Sequence, residues 1–251
     1  MSARILGSTT RRILAQLRHD RRTVALLLVV PVLLLTLLYF MFENQPTIPG
    51  VPSTFDRVGL IMLGIFPFTI MFLITSIAML RERTTGTLER LLTTPLGKLD
   101  LLFGYGIAFG LAAAVQAAVA TSVAYWLLGL EAAGSIGLVI LIAIANAVLG
   151  VALGLFFSAF ANSEFQAVQF MPAVILPQVL LCGLFTPRAA MATWLQAISD
   201  VFPMSYAVEA LQEVGANVDP TGRMWRDVAI ILGCVIVALA AGAATLRRRT
   251  A

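Results

Sequence analysis

Six apolar stretches, residues 24–42, 58–80, 101–128, 135–160, 166–185 and 228–246, constrain this chain more than any other feature. Each is long enough to cross a hydrocarbon layer of roughly 30 Å. In lipid every backbone N–H and C=O must be paired within the protein, so a spanning segment is either a helix or a strand of a closed barrel. None of the six runs alternates like a barrel strand, and the predicted fold class is therefore an all-α membrane protein with six transmembrane helices. With 59% hydrophobic and 12% charged residues among 251, the chain carries more apolar surface than one soluble core of this length can hide. The first run is too long for a removable signal segment and lacks a small-residue cleavage site, so it is expected to remain in the mature protein. Pro31, Pro67, Pro172 and Pro177 fall inside these runs and predict kinks.

Lys and Arg set the predicted orientation. Arg4, Arg11, Arg12, Arg18, Arg21 and Arg22 precede the first run; Arg81, Arg83, Arg90 and Lys98 lie between the second and third; Arg247, Arg248 and Arg249 follow the last. The other side holds only Arg57, Arg188, Arg223 and Arg226. Both termini are thus expected in the cytoplasm of a multi-pass inner-membrane protein. This asymmetry accounts for the net charge of +4 and leaves nucleic-acid binding a poor explanation for it.

Three segments are too polar or too short to span. Residues 5–19 set Ile5, Leu6, Ile13, Leu14 and Leu17 among arginines at helical spacing, as in an amphipathic helix on an anionic leaflet. An orientation anchor and a docking element are equally open readings of it. Residues 81–95 form a charged connection in which Thr87 can cap a helix, Leu88, Leu91 and Leu92 share a face, and Pro95 with Gly97 ends it. An ordinary solvated loop fits the same residues. Residues 187–214 are too apolar for a disordered linker, and two short apolar pieces, Met191 to Ile198 and Met204 to Leu211, are broken between Asp200 and Pro203. They predict a helical hairpin dipping into the outer leaflet, with Trp194, Tyr206 and Trp225 suited to the interface. A plain lid is the alternative.

The chain has no Gly-x-x-x-x-Gly-Lys-Ser/Thr phosphate loop, and its single His19 lies among arginines, so no catalytic set is expected. Cys182 and Cys234 have no metal-ligand spacing, and no metal site is expected. Ionisable groups at membrane depth, which an ion-coupled transporter needs, are missing from the apolar runs. Gln116, Asn146 and Gln178 are the main polar side chains there and read either as interhelical hydrogen-bonding groups or as contacts lining a passage. Gly106, Gly110, Gly150 and Gly154 form two small-x-x-x-small pairs, expected to pack helices within the chain rather than between copies.

Taken together these segments resemble the membrane subunit of type-two ATP-binding-cassette (ABC-2) exporters. Glu82, Arg83, Gly86, Thr87, Leu88, Glu89, Leu92 and Pro95 resemble that family's cytoplasmic coupling helix. Gly183, Phe185, Pro187, Trp194, Pro203 and Tyr206 resemble its extracellular re-entrant hairpin before the last span. The chain departs from the pattern at Gly104-Tyr105, where Gly-Lys is common, and at Cys182, where a small hydroxyl residue is common. Its short loops are most similar to daunorubicin-resistance-type and nodulation-type permeases.

The resemblance implies a single domain over residues 1–251 that is not itself an enzyme. It implies a partner ATP-binding-cassette ATPase, two copies per transporter, which holds the ATP and magnesium, and a second permease copy, identical or homologous. This chain would bind no cofactor of its own. The coupling helix would transmit nucleotide closure into alternating access, and a passage with apolar and amide walls, with Phe66, Phe68 and Phe170 available, suits a hydrophobic or amphiphilic drug. Export of a lipid or lipid-linked glycan, an ATP-independent secondary transporter and a non-transporting scaffold stay open at this point.

Overall fold

A computed structural model describes residues 3–46, 50–86 and 98–245. The described residues form nine α-helices and no strand: α1 Ala3–His19, α2 Arg21–Phe42, α3 Thr54–Thr84, α4 Lys98–Trp126, α5 Ile136–Phe157, α6 Glu164–Leu181, α7 Thr193–Val201, α8 Pro203–Ala216 and α9 Gly222–Thr245. A short 3₁₀ turn at Arg188–Ala190 precedes α7. Helices α2, α3, α4, α5, α6 and α9 are long and apolar enough to cross a membrane. The protein is thus an all-helical, multi-pass membrane protein.

Local chemistry sets the helix starts. Ser53 and Asp56 form a reciprocal capping box at α3, each side chain accepting the other's backbone N–H at 3.0 Å. Ser135 caps α5 and Ser163 caps α6, while Pro203 occupies the first turn of α8, where its missing N–H costs nothing. Several helices stop short of the apolar runs that predict them. Helix α4 ends at Trp126 rather than 128, ahead of Gly129 at φ +66°, and α6 ends at Leu181 rather than 185, ahead of Gly183 at φ +97°. A left-handed backbone suits glycine and ends a helix whatever the hydropathy of the residues beyond it. Pro31, Pro67, Pro172 and Pro177 all lie inside helices that continue past them.

The centre of the bundle is the pair α3 and α5. A Cβ built on Gly150 would stand 2.3 Å from the Phe68 carbonyl oxygen, and one on Gly154 would stand 2.1 Å from Thr75 Oγ1. Only hydrogen fits at those two positions, so the backbones pack in direct contact. This pair is an intramolecular seam. By contrast, the neighbours of Gly106 and Gly110 begin at 3.7 Å, an ordinary packing distance. Phe68, Met71, Phe72, Ile142 and Leu149 fill the core around the seam.

Helices α4, α8 and α9 pack around this pair, whereas α2 and α6 stay peripheral: 17% of each one's apolar window is buried, against 67% for α3. The six long helices alternate in direction. One end of the bundle gathers α1 with the starts of α2, α4 and α6 and the end of α3, and is rich in arginine. The other end gathers α7, α8 and the start of α9, with the 131–135 turn tied to α8 by Gly134 N–H donating to the Val214 carbonyl at 2.8 Å.

Candidate functional site

At the arginine-rich end, α3 runs beyond its apolar stretch into the segment that the sequence marks as coupling helix 81–95. Arg81, Glu82 and Arg83 form its last turn, Thr85 closes it by donating its N–H to the Arg81 carbonyl at 3.0 Å, and Gly86 takes φ +70°. A separate helix beginning at 81 is therefore not what forms: the i→i−4 ladder of α3 continues to Thr84, and the left-handed glycine ends it. Thr87, Leu88, Glu89, Leu92 and Pro95 lie outside the described residues.

Side chains from three other helices grip this last turn. Glu82 Oε1 accepts a 2.5 Å hydrogen bond from the Tyr105 hydroxyl of α4 and lies 3.6 Å from Arg12 Nη2 of α1, which itself donates to the Tyr105 hydroxyl at 3.2 Å. Arg81 chelates Glu164 at the start of α6, its Nε and Nη2 donating to the two carboxylate oxygens at 2.7 and 3.2 Å. Both partners of that pair are more than half exposed, so it is worth under about 1 kcal/mol and serves as a contact rather than a strut. The Glu82 side chain is only 13% exposed, and hydrogen bonds to its charge are stronger in such a setting. Arg83 keeps Nε and Nη2 buried with no acceptor among the described residues.

Helix α1 uses its apolar stripe on the protein. Thr9 and Ile13 are buried, and the Thr10 hydroxyl donates to the Gly104 carbonyl at 3.4 Å. A Cβ on Gly104 would come within 2.7 Å of Thr9 Cγ2. The Gly104-Tyr105 departure thus has a local reason: glycine admits α1 and tyrosine reaches Glu82. At the joint of α1 and α2, Asp20 accepts from Thr23 N–H at 3.1 Å and from the Thr23 hydroxyl at 2.6 Å. These bonds, the hydroxyl's first, hold its carboxyl below the usual carboxylate range.

At the opposite end the predicted hairpin consists of α7 and α8, broken at Phe202 and Pro203. The Tyr206 hydroxyl donates to the Asp200 carbonyl at 2.7 Å, and buried Ser199 donates to the Leu181 carbonyl at 2.8 Å, tying the hairpin to the end of α6. Pro187 starts the 3₁₀ turn and Gly183 supplies the φ that lets the chain leave α6, whereas Phe185 and Trp194 are exposed. Arg188 binds Glu209 at 2.6 Å, pairs with Asp200 and lies over the Tyr206 ring at 5.4 Å. Arg223, at the start of α9, pairs with the same Glu209.

Three amides inside the bundle stay apart. Asn146 donates to the Gly64 carbonyl at 3.0 Å, joining α5 to α3. Gln178 donates to the Val174 carbonyl at 3.1 Å and accepts from Met204 N–H at 3.4 Å, joining α6 to α8. Gln116 is buried with neither end of its amide bonded among the described residues. Two carboxyl residues sit at helix edges, just ahead of the apolar runs. Asp100 and Asp227 are buried carboxyl residues inside α4 and α9, because each helix begins a turn or so ahead of its apolar run. Asp227 is held by Arg226 at 2.8 Å.

Residues 4–214 match the family model described as ABC-2 type transporter. The chain belongs to the ABC-2 type transporter family. Among similar proteins of this family, the probable multidrug ABC transporter permease YbhR of Escherichia coli (strain K12) is 24% identical over 177 residues, 70% of this chain and 48% of its own. The linearmycin resistance permease protein LnrN of Bacillus subtilis (strain 168) is 22% identical over 185 residues, 72% of this chain and 48% of that one. ABC transporter G family member 20 of Dictyostelium discoideum is 26% identical over 171 residues, 67% of this chain and 23% of its own. The chain spans about half the length, or less, of these relatives.

Sequence reasoning on this ABC-2 chain missed Arg12, Tyr105, Glu164, Glu209 and Arg223 as partners of the predicted segments. Only the Glu209/Glu213 spacing of four on one helix face carried a signal, since both acids face the start of α9: Arg223 pairs with Glu209, and the Thr221 hydroxyl donates to Glu213 at 3.0 Å. The other partners are far apart in the chain and have no spacing to find.

Proposed function

We propose that this chain is the membrane-spanning subunit of an ATP-driven exporter, with both termini cytoplasmic. A separate ATPase, in two copies, binds ATP and magnesium and docks on the segment that follows α3, and the permease works as a pair of identical or homologous copies. The observation that carries the reading is the clamp on the last turn of α3. Glu82 is held by α1 and α4, so force applied just beyond Gly86 passes from the last turn of α3 into three helices, with the exposed Arg81–Glu164 pair a weaker contact to α6. Rigid helices joined by short polar contacts at one end transmit such a displacement to the other end, where α7 and α8 cover the bundle. Family membership and the arginine-rich end support the cytoplasmic assignment.

The cargo we infer is a hydrophobic or amphiphilic compound of the antibiotic or drug class. The printed names of two relatives, one a multidrug and one a linearmycin resistance permease, favour it over a lipid-linked glycan. Purification from membranes with the associated ATPase, followed by Gly86→Pro and Glu89→Lys, tests the assignment. Proline cannot adopt φ +70°, so Gly86→Pro removes the turn that launches the segment. Both variants are expected to insert normally and to lose ATP-driven export. Unchanged export and ATP turnover in both would reject the docking assignment.

A further inference from the structure

Of residues 184–201, which carry the 3₁₀ turn and α7, Ser199 alone is buried. Trp194 and Val201 are 66% and 76% exposed, so apolar packing within the chain does little to hold α7 in place. The segment is joined to its neighbours at two points suited to hinging: Gly183 at φ +97° precedes it, and the break at Phe202 and Pro203 follows it. Helix α8, by contrast, is seated in the bundle, with Met204, Ala207, Val208 and Leu211 buried.

Polar contacts hold the segment instead. The Ser199 hydroxyl donates to the Leu181 carbonyl and lies 3.0 Å from the Ser205 hydroxyl, and the Tyr206 hydroxyl donates to the Asp200 carbonyl. Among the described residues one ion pair joins the segment to the rest of the chain, Arg188 with Glu209 at 2.6 Å, and its side chains are only 14% and 17% exposed. Each member of that pair has a second partner on its own side. Arg188 also holds Asp200 of α7, and Glu209 holds Arg223 of α9 through its other carboxylate oxygen. Breaking a buried ion pair is costly when it leaves a charge alone. Parting Arg188 from Glu209 strands neither charge, because Arg188 leaves with Asp200 and Glu209 stays with Arg223.

We propose that residues 184–201 form a hinged lid and that Arg188 is its latch, closed on Glu209 and released by the exchange that leaves Arg188 on Asp200 and Glu209 on Arg223. Arg188 acts as a positioning residue, setting where α7 lies. The inference rests on the exporter reading only for what leaves beneath the lid. The motion itself needs neither ATPase nor cargo, so it is measured on the permease alone. Its failure leaves the coupling assignment standing, and loss of ATP coupling leaves the latch standing.

The test uses the full chain in phosphatidylcholine nanodiscs, in a background without Cys182 and Cys234 and with Ser205→Cys as the reporter. Ser205 is fully buried against Ser199, so a charged maleimide reaches the new thiol when α7 lifts. Arg188→Gln and Glu209→Gln should each raise the labelling rate about tenfold, as expected for one charge-assisted contact, and the double variant should add little to either. Asp200→Asn and Arg223→Gln should act in the opposite direction and slow labelling several-fold, because each removes the partner on which the open state relies. A network that merely holds the fold together would loosen with every one of these deletions. An unchanged rate in Arg188→Gln would overturn the proposal. So would faster labelling in Asp200→Asn and Arg223→Gln, or additive effects in the double variant.

Discussion

At the scale of single residues, two glycines do what no other side chain can. Gly150 and Gly154 bring α5 against the α3 backbone, and the atoms a Cβ would strike at Gly154 include the Phe72 carbonyl at 2.5 Å, which cannot rotate away. Gly154→Ala must therefore part the helices, a strain of about 1–3 kcal/mol. We expect its thermal midpoint in detergent to fall by several degrees. Gly110→Ala, with ordinary clearance and a gain in helix propensity, should leave the midpoint unchanged or raise it. Asp20 gives a pH-dependent counterpart. Its carboxyl is held below its ordinary pKa by Thr23, so its stabilising effect is present above the unfolded pKa and is lost as pH falls through the lowered folded value. Asp20→Ala should cost about 1 kcal/mol at neutral pH. The gap between wild type and variant should narrow below about pH 4 in midpoints measured across pH.

At the scale of elements, α1 is the helix whose role changes most between sequence and structure. Its apolar stripe predicts a helix on a lipid surface, yet Thr9 and Ile13 are buried and Gly104 of α4 is shaped to admit Thr9. Both tasks are compatible, because Arg11 and Arg18 of α1 stay exposed. Gly104→Val should displace α1, separate Arg12 from Tyr105 and Glu82, and leave the six long helices inserted. Limited trypsin digestion would then cut after Arg11 or Arg12 several-fold faster than in the unaltered protein. An unchanged digestion rate would mean that α1 is held by lipid rather than by α4.

At the scale of the whole molecule, the uneven burial of the six long helices is the main clue to assembly. Only 17% of the apolar window is buried in α2 and in α6, and Leu33, Leu37, Leu176 and Leu180 are all at least half exposed. If two copies work together, these helices are the ones with free faces. In a background without Cys182 and Cys234, Leu37→Cys or Leu180→Cys should yield a disulfide-linked dimer in membranes, whereas a cysteine at Ala143, fully buried in α5, should not. A monomer band from all three would place the contact between copies elsewhere.

The apolar runs alone determined that this chain is an all-helical membrane protein with six crossings, because a bilayer leaves a long uncharged segment no other way to pair its backbone. The break at Phe202 and Pro203 was legible for the same kind of reason: proline's fixed φ and missing N–H act locally and need no partner. What the sequence could not reveal is which distant side chains meet. Arg12, Glu82 and Tyr105 lie in three different helices, and Arg81 and Glu164 are separated by two of the six crossings. Their pairing follows from how far α3 extends past its apolar stretch and from how closely Gly104, Gly150 and Gly154 let neighbouring helices approach. Hydropathy is a property of each segment, whereas contact depends on where whole helices sit relative to one another, and only the packed bundle decides that.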